Sequence, residues 1–69
     1  MTSHSDFGLA LRKAQAESQI PNYELANKLG VGINTISRWR VAKDLKYRNL
    51  VRLSAALGLS VDEFIEMGK

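Results

Sequence analysis

Gly30 stands between two stretches of helical periodicity, and only Val31 and Gly32 follow it before the second stretch begins. Upstream, Leu25, Ala26 and Leu29 recur at helical spacing; downstream, Ile36 and Trp39 do the same within the segment INTISRW. Gly30 falls where a left-handed residue ends a helix, a conformation that costs a branched side chain about 1 kcal/mol or more. A connection this short leaves no room for a strand between the helices. They must meet at a sharp angle, with Ala26 small where they cross and Ile36 and Trp39 apolar where the second helix is pinned.

The rest of the chain divides in the same way. Phe7, Leu11, Ala14 and Ser18 share one face of a helix over about 7–18, with Ser5 or Asp6 as its N-cap. Pro21 disfavours helical geometry at Ile20, and Asn22 is placed to cap a second helix running to Leu29. A third helix is expected over 33–40, followed by a loop around Lys43, Asp44 and Leu45. Leu50, Leu53 and Leu57 mark a fourth over 46–57, ended by Gly58. Ser60, with Glu63 three residues on, is a capping-box signature for a fifth helix carrying Val61, Phe64 and Ile65. No segment alternates with period two for long enough to be a strand. The expectation is an all-α domain of five short helices over 6–69, after a loose N-terminal tail of residues 1–5.

Composition removes several functions. The chain has no Cys, which excludes disulfides and thiolate metal sites and points to a reducing compartment. His4, in the tail, is its single His, so no metal set and no Ser-His-Asp arrangement can be assembled in the body. There is no Gly-rich phosphate loop, and Phe7, Trp39 and Phe64 are assigned to the core rather than to a ligand cage. No catalytic site, cofactor or small-molecule effector is expected. No apolar run approaches the roughly 18–20 residues that span a bilayer. The opening MTSHSDFGLA lacks the charged start of a secretory signal, so the expected location is the cytoplasm.

The net charge of +3 is unevenly spread. From Lys28 to Arg52 there are seven basic residues (Lys28, Arg38, Arg40, Lys43, Lys46, Arg48, Arg52) against the single acidic Asp44, a local balance of +6. Residues 1–27 carry −1 and residues 60–69 carry −2. A basic middle between weakly acidic ends is the footprint of a polyanion-binding surface, although an ordinary solvated face has the same composition.

The stretch NYELANKLGVGINTISRW, continued by NLVRLSAALGLSVDEF, resembles the lambda-repressor/Cro-like helix-turn-helix family. Asn22 stands where the family motif opens, Ala26 and Gly30 match its small-residue positions, and Ile36 and Trp39 match the two buried positions of its second helix. The resemblance covers about residues 7–66. It implies a compact five-helix domain whose third helix enters the major groove of double-stranded DNA.

On a helical wheel Asn34, Ser37 and Arg38 lie opposite Ile36 and Trp39, with Ile33 at the border; the family pattern carries base contact onto these same four positions. Asn34 suits adenine N6/N7 and Arg38 suits guanine O6/N7, each bidentate pair discriminating by about 1–3 kcal/mol. Ser37 permits close approach, and Ile33 suits a thymine methyl. The competing roles are local capping of helix 3 by Asn34 or Thr35, and a phosphate contact for Arg38. Expected phosphate contacts are Asn22 and Tyr23 at the start of helix 2, Lys43, Lys46 and Tyr47 before and within the start of helix 4, and Arg40.

Two departures from the family stand out. Many relatives pair an Arg on helix 1 with a Glu at the end of helix 3, where this chain has Gln15 and Arg40. Gln15 can accept a hydrogen bond from Arg40, or Arg40 can turn toward a phosphate. The loop after helix 3 carries Ala42 and Leu45 in place of the family's usual Gly and Pro. One helix contacts too few base pairs for selectivity, and the family pairs two copies across a palindrome. Leu59, Val61, Ile65 and Met67 are the expected homodimer surface, unless Val61, Phe64 and Ile65 all belong to the monomer core. The resemblance thus implies a small dimeric Cro-like repressor. The alternatives are a restriction-modification controller, an autoregulating antitoxin or, in a different class, a protein-interaction module antagonising another regulator.

Overall fold

A computed structural model describes residues 6–69. The expected tail of residues 1–5, with His4 and the alternative cap Ser5, lies outside the described residues. The chain forms α1 (Phe7–Ser18), α2 (Asn22–Leu29), α3 (Ile33–Val41), α4 (Tyr47–Ala56) and α5 (Val61–Met67), with no strand among the described residues. The all-α expectation is met, and each helix boundary falls within a residue or so of its sequence signal.

Local chemistry accounts for most of these ends. Asp6 caps α1 by accepting from the Leu9 N–H at 3.0 Å. Gly30 ends α2 at φ +68, as its position demanded. The capping box of α5 is complete: Ser60 Oγ accepts from Glu63 N at 3.1 Å, and Glu63 Oε1 accepts from Ser60 N at 2.8 Å. Asn22 does not cap α2, however. Pro21, held extended at φ −74 and ψ 167, takes the N-cap position and makes Asn22 the first helical residue. The fourth helix likewise begins at Tyr47, with Lys46 as its N-cap.

The core is one cluster. Leu11, Leu25, Ile36, Leu53 and Phe64, one from each helix, are fully buried, and Ala10, Ala14, Ala26, Leu50 and Leu57 fill the spaces between them. Trp39, expected beside Ile36 in the core, is only partly buried and packs against the cluster's edge. Ser18 is exposed, with its hydroxyl donating to Ala14 O at 2.6 Å; Gln15 takes the buried place instead.

The ends of α3 and α5 are both tied to the first turn of α1. Gly8 N donates to Ala42 O at 2.8 Å and Phe7 N to Lys43 O at 3.1 Å, while Asp6 N donates to Gly68 O at 2.9 Å. These are the N–H groups that a helix start leaves unpaired. Backbone can approach this closely because residue 8 has no side chain. A Cβ on Gly8 would lie 2.6 Å from Arg40 O and nearer still to Ala42 O. Nothing in the sequence pattern singled out this glycine.

Gly8→Ala is therefore expected to destabilise the domain by about 1–3 kcal/mol despite alanine's better helix propensity, because the obstructing atoms are backbone. Gly32→Ala, at negative φ with nothing within 4 Å of the added Cβ, should change stability little. Urea unfolding of the two variants checks this; equal midpoints would show that the α1–α3 contact is looser than described.

Candidate nucleic-acid interface

The α2–α3 pair presents an outward surface on which polar side chains are left without internal partners. Ile36 is fully buried on the inner face of α3, which turns Asn34, Ser37 and Arg38 to the exposed side, with Ile33 about half exposed at the first position. The α3 helix opens on Gly32, which supplies no capping side chain, and Asn34 and Thr35 do not provide one. Local capping is thus not what occupies Asn34. Among the described residues, Asn34, Ser37 and Arg38 make no side-chain hydrogen bond or ion pair with the rest of the chain.

The helix starts divide into two kinds. α1 and α5 are closed by side chains, Asp6 and Ser60, whereas α2, α3 and α4 begin at Pro21, Gly32 and Lys46 with no side-chain cap. The uncapped starts leave backbone N–H groups and the positive end of each helix dipole available to an anion. They belong to the helix-turn-helix pair and to the helix that follows it.

The residues expected at phosphates are found around these starts. Tyr23 is 65% exposed in the first turn of α2, and Tyr47 is 69% exposed as the first residue of α4. Lys43 and Lys46 are exposed in and at the end of the α3–α4 loop. That loop is held by its backbone, since Ala42 O and Lys43 O accept from α1. Asn22 is partly buried, and its Oδ1 accepts from Gln15 Nε2 at 2.9 Å.

Arg40 differs from the others. Its Nη1 donates to Gln15 Oε1, the amide that stands in the place of the family's helix 1 arginine. Gln15 is only 5% exposed and is fully used: Nε2 donates to Ile20 O at 3.1 Å as well as to Asn22. One buried amide thereby joins the end of α3, the α1–α2 turn and the start of α2. Arg52, counted in the basic stretch, is also engaged, with Nη2 donating to Leu29 O at 2.5 Å at the C-terminal end of α2. Lys28, Arg38, Lys43, Lys46 and Arg48 remain without a carboxylate partner among the described residues.

The residues expected at a dimer surface split into two pairs. Leu59 and Met67 pack against the monomer's own core while remaining partly exposed. Val61 and Ile65 are half-buried on α5, whereas Phe64 between them is fully buried. Val41, 81% exposed at the end of α3, is an exposed apolar side chain that helical periodicity did not flag.

No helix among the described residues is long and apolar enough to cross a membrane. No curated protein and no solved structure shows significant similarity to the chain. A family model for the helix-turn-helix matches residues 10–64, which take in all of α2, α3 and α4, the core positions around them and the first part of α5. With that match and this arrangement of helices, the chain belongs to the lambda-repressor/Cro-like (XRE-type) helix-turn-helix family of DNA-binding transcription regulators.

Proposed function

We propose that this chain is a small, sequence-specific repressor that binds a palindromic operator as a homodimer, in the manner of a phage Cro protein. In this reading α3 of each copy lies in the major groove of one half-site. Asn34, Ser37 and Arg38 contact base edges, and Ile33 lies against a thymine methyl. Tyr23 and Asn22 hold a phosphate at the start of α2, and Lys43, Lys46 and Tyr47 hold another at the start of α4. A repressor of this kind acts in the cytoplasm, where it occludes promoter DNA.

The observation that carries this reading is the pairing of two features within the helix-turn-helix and the helix that follows it. The exposed face of α3 carries polar groups with no internal partner, and it is flanked in sequence by helix starts that no side chain caps. Polar groups left free on a short helix are cheap in water, so their freedom alone decides little. Together with an uncompensated basic stretch they suit a polyanion with readable edges. Two copies are invoked because one short helix reads about four or five base pairs, and family members pair half-sites about 34 Å apart. Val61 and Ile65, with the exposed parts of Leu59 and Met67, supply the apolar surface for that pairing.

Selection of duplexes from a random pool tests the proposal. The wild-type protein should enrich an inverted repeat, and Arg38→Ala should lose roughly 5–150-fold of discrimination at one base pair per half-site, the equivalent of a bidentate contact. Uniform weakening over all sequences would make Arg38 a phosphate contact. No enrichment by the wild-type protein would favour a protein-interaction module.

Lys43→Ala and Lys46→Ala should each weaken binding broadly and lower the slope of log K against log salt by about one unit. Anisotropy titrations at several salt concentrations read this directly. An unchanged slope removes that lysine from the phosphate set.

A further inference from the structure

Between α1, the α1–α2 turn and the end of α3 lies a cleft of about 440 Å³, lined by Arg12, Gln15, Gln19, Ile20, Pro21 and Arg40 among others. Two guanidinium groups share it, and no carboxylate lines it. We propose that this cleft is an oxyanion-binding site that takes a phosphate group between Arg12 and Arg40, with Arg12 as a ligand outside the helix-turn-helix pair.

The chemistry turns on what Gln15 is. A carboxylate at this buried position would both orient Arg40 and neutralise it; an amide does only the first. Gln15 Oε1 accepts from Arg40 Nη1, which anchors one end of the guanidinium and leaves its other N–H donors and its full charge. Both Nε2 hydrogens of Gln15 are committed to Ile20 O and Asn22 Oδ1, so the amide cannot rotate away without breaking three bonds. Gln15 is a positioning residue with both N–H donors committed, and it does not itself bind the anion.

Arg12 is set in a similar way. Its Nε donates to Gly8 O at 3.3 Å, one turn back on α1, which leaves both terminal nitrogens unengaged among the described residues. Arg12 and Arg40 thus offer two planar forks toward one cleft, and neither has a counter-ion among the described residues. Like charges sharing a cleft repel, and an anion between them converts that repulsion into two charge-assisted contacts. Pro21, on the wall, is the N-cap of α2, so the uncapped start of that helix adjoins the site. A tetrahedral phosphate oxyanion, accepting from two forks and adjacent N–H groups, is the ligand these donors match. Two sources carry it: a backbone phosphate of bound DNA, which rests on the function proposed above, and a free phosphate or phosphorylated small molecule, which does not.

The test compares wild-type protein with Arg12→Gln and with Lys13→Gln, which removes the same charge from a neighbouring exposed position outside the cleft. Binding to a mixed-sequence duplex is measured against salt, and thermal unfolding is measured in inorganic phosphate and in chloride at equal ionic strength. The expected result is a salt slope lowered by about 0.9 in Arg12→Gln and unchanged in Lys13→Gln, which assigns the cleft to a backbone phosphate. A phosphate-specific rise in Tm of about 10 °C at a tenfold excess over Kd, lost in Arg12→Gln alone, assigns it to a free anion. Should the wild-type protein bind no duplex, the function proposed above fails and the phosphate arm still decides the site. Indistinguishable behaviour of the two variants in both arms overturns the proposal.

Discussion

The position of α3 depends on a backbone clasp at the first turn of α1. Phe7 and Gly8 donate to the carbonyls of Lys43 and Ala42, just past the end of α3, and Asp6 donates to Gly68 at the end of α5. Three donors that a helix start leaves unpaired are thereby satisfied by two distant segments at once. Because the contact is made by main chain, it holds the exit of α3 more rigidly than a side-chain contact would. Ile36 then fixes the rotation of α3 by filling the core. An exit and a rotation together determine which side chains of a nine-residue helix face outward.

That determination is also what makes the polar surface inexpensive. Asn34, Ser37 and Arg38 can remain free because the apolar half of α3 already supplies its anchoring. The same division holds for the helix starts. Asp6 and Ser60 close the starts of α1 and α5; where α2, α3 and α4 begin, no side chain does. Uncapped starts cost the isolated domain some stability, which an anion bound there would restore.

What was legible in the sequence is local. Gly30 at positive φ, the Ser60–Glu63 capping box and the spacing of Leu50, Leu53 and Leu57 each act within a turn or two of chain, and each element formed where its signal lay. What escaped is tertiary. Gly8 looks like any helix glycine until Arg40 O and Ala42 O come within reach of its missing Cβ. Asn22 has the chemistry of an N-cap, but Pro21 is already extended and occupies that place, which frees the Asn22 amide to accept from Gln15. The exchange of the family ion pair for Gln15 and Arg40 is visible in the sequence as a departure, and the structure resolves it as a hydrogen bond that leaves the charge without a carboxylate partner among the described residues. Arg12 gave no signal, since an exposed arginine on a surface helix is ordinary; only the cleft gives it a role.

In the function proposed above, the outer face of α3 and the uncapped starts of α2, α3 and α4 meet DNA. Amide chemical-shift mapping of isotope-labelled protein with a short duplex tests it most directly, because each backbone N–H reports separately. The largest changes are expected at Ile33, Asn34, Ser37 and Arg38 and at the first residues of α2 and α4, with α5 nearly silent at low protein concentration. Changes confined to α5, or spread evenly over every exposed lysine and arginine, would contradict it.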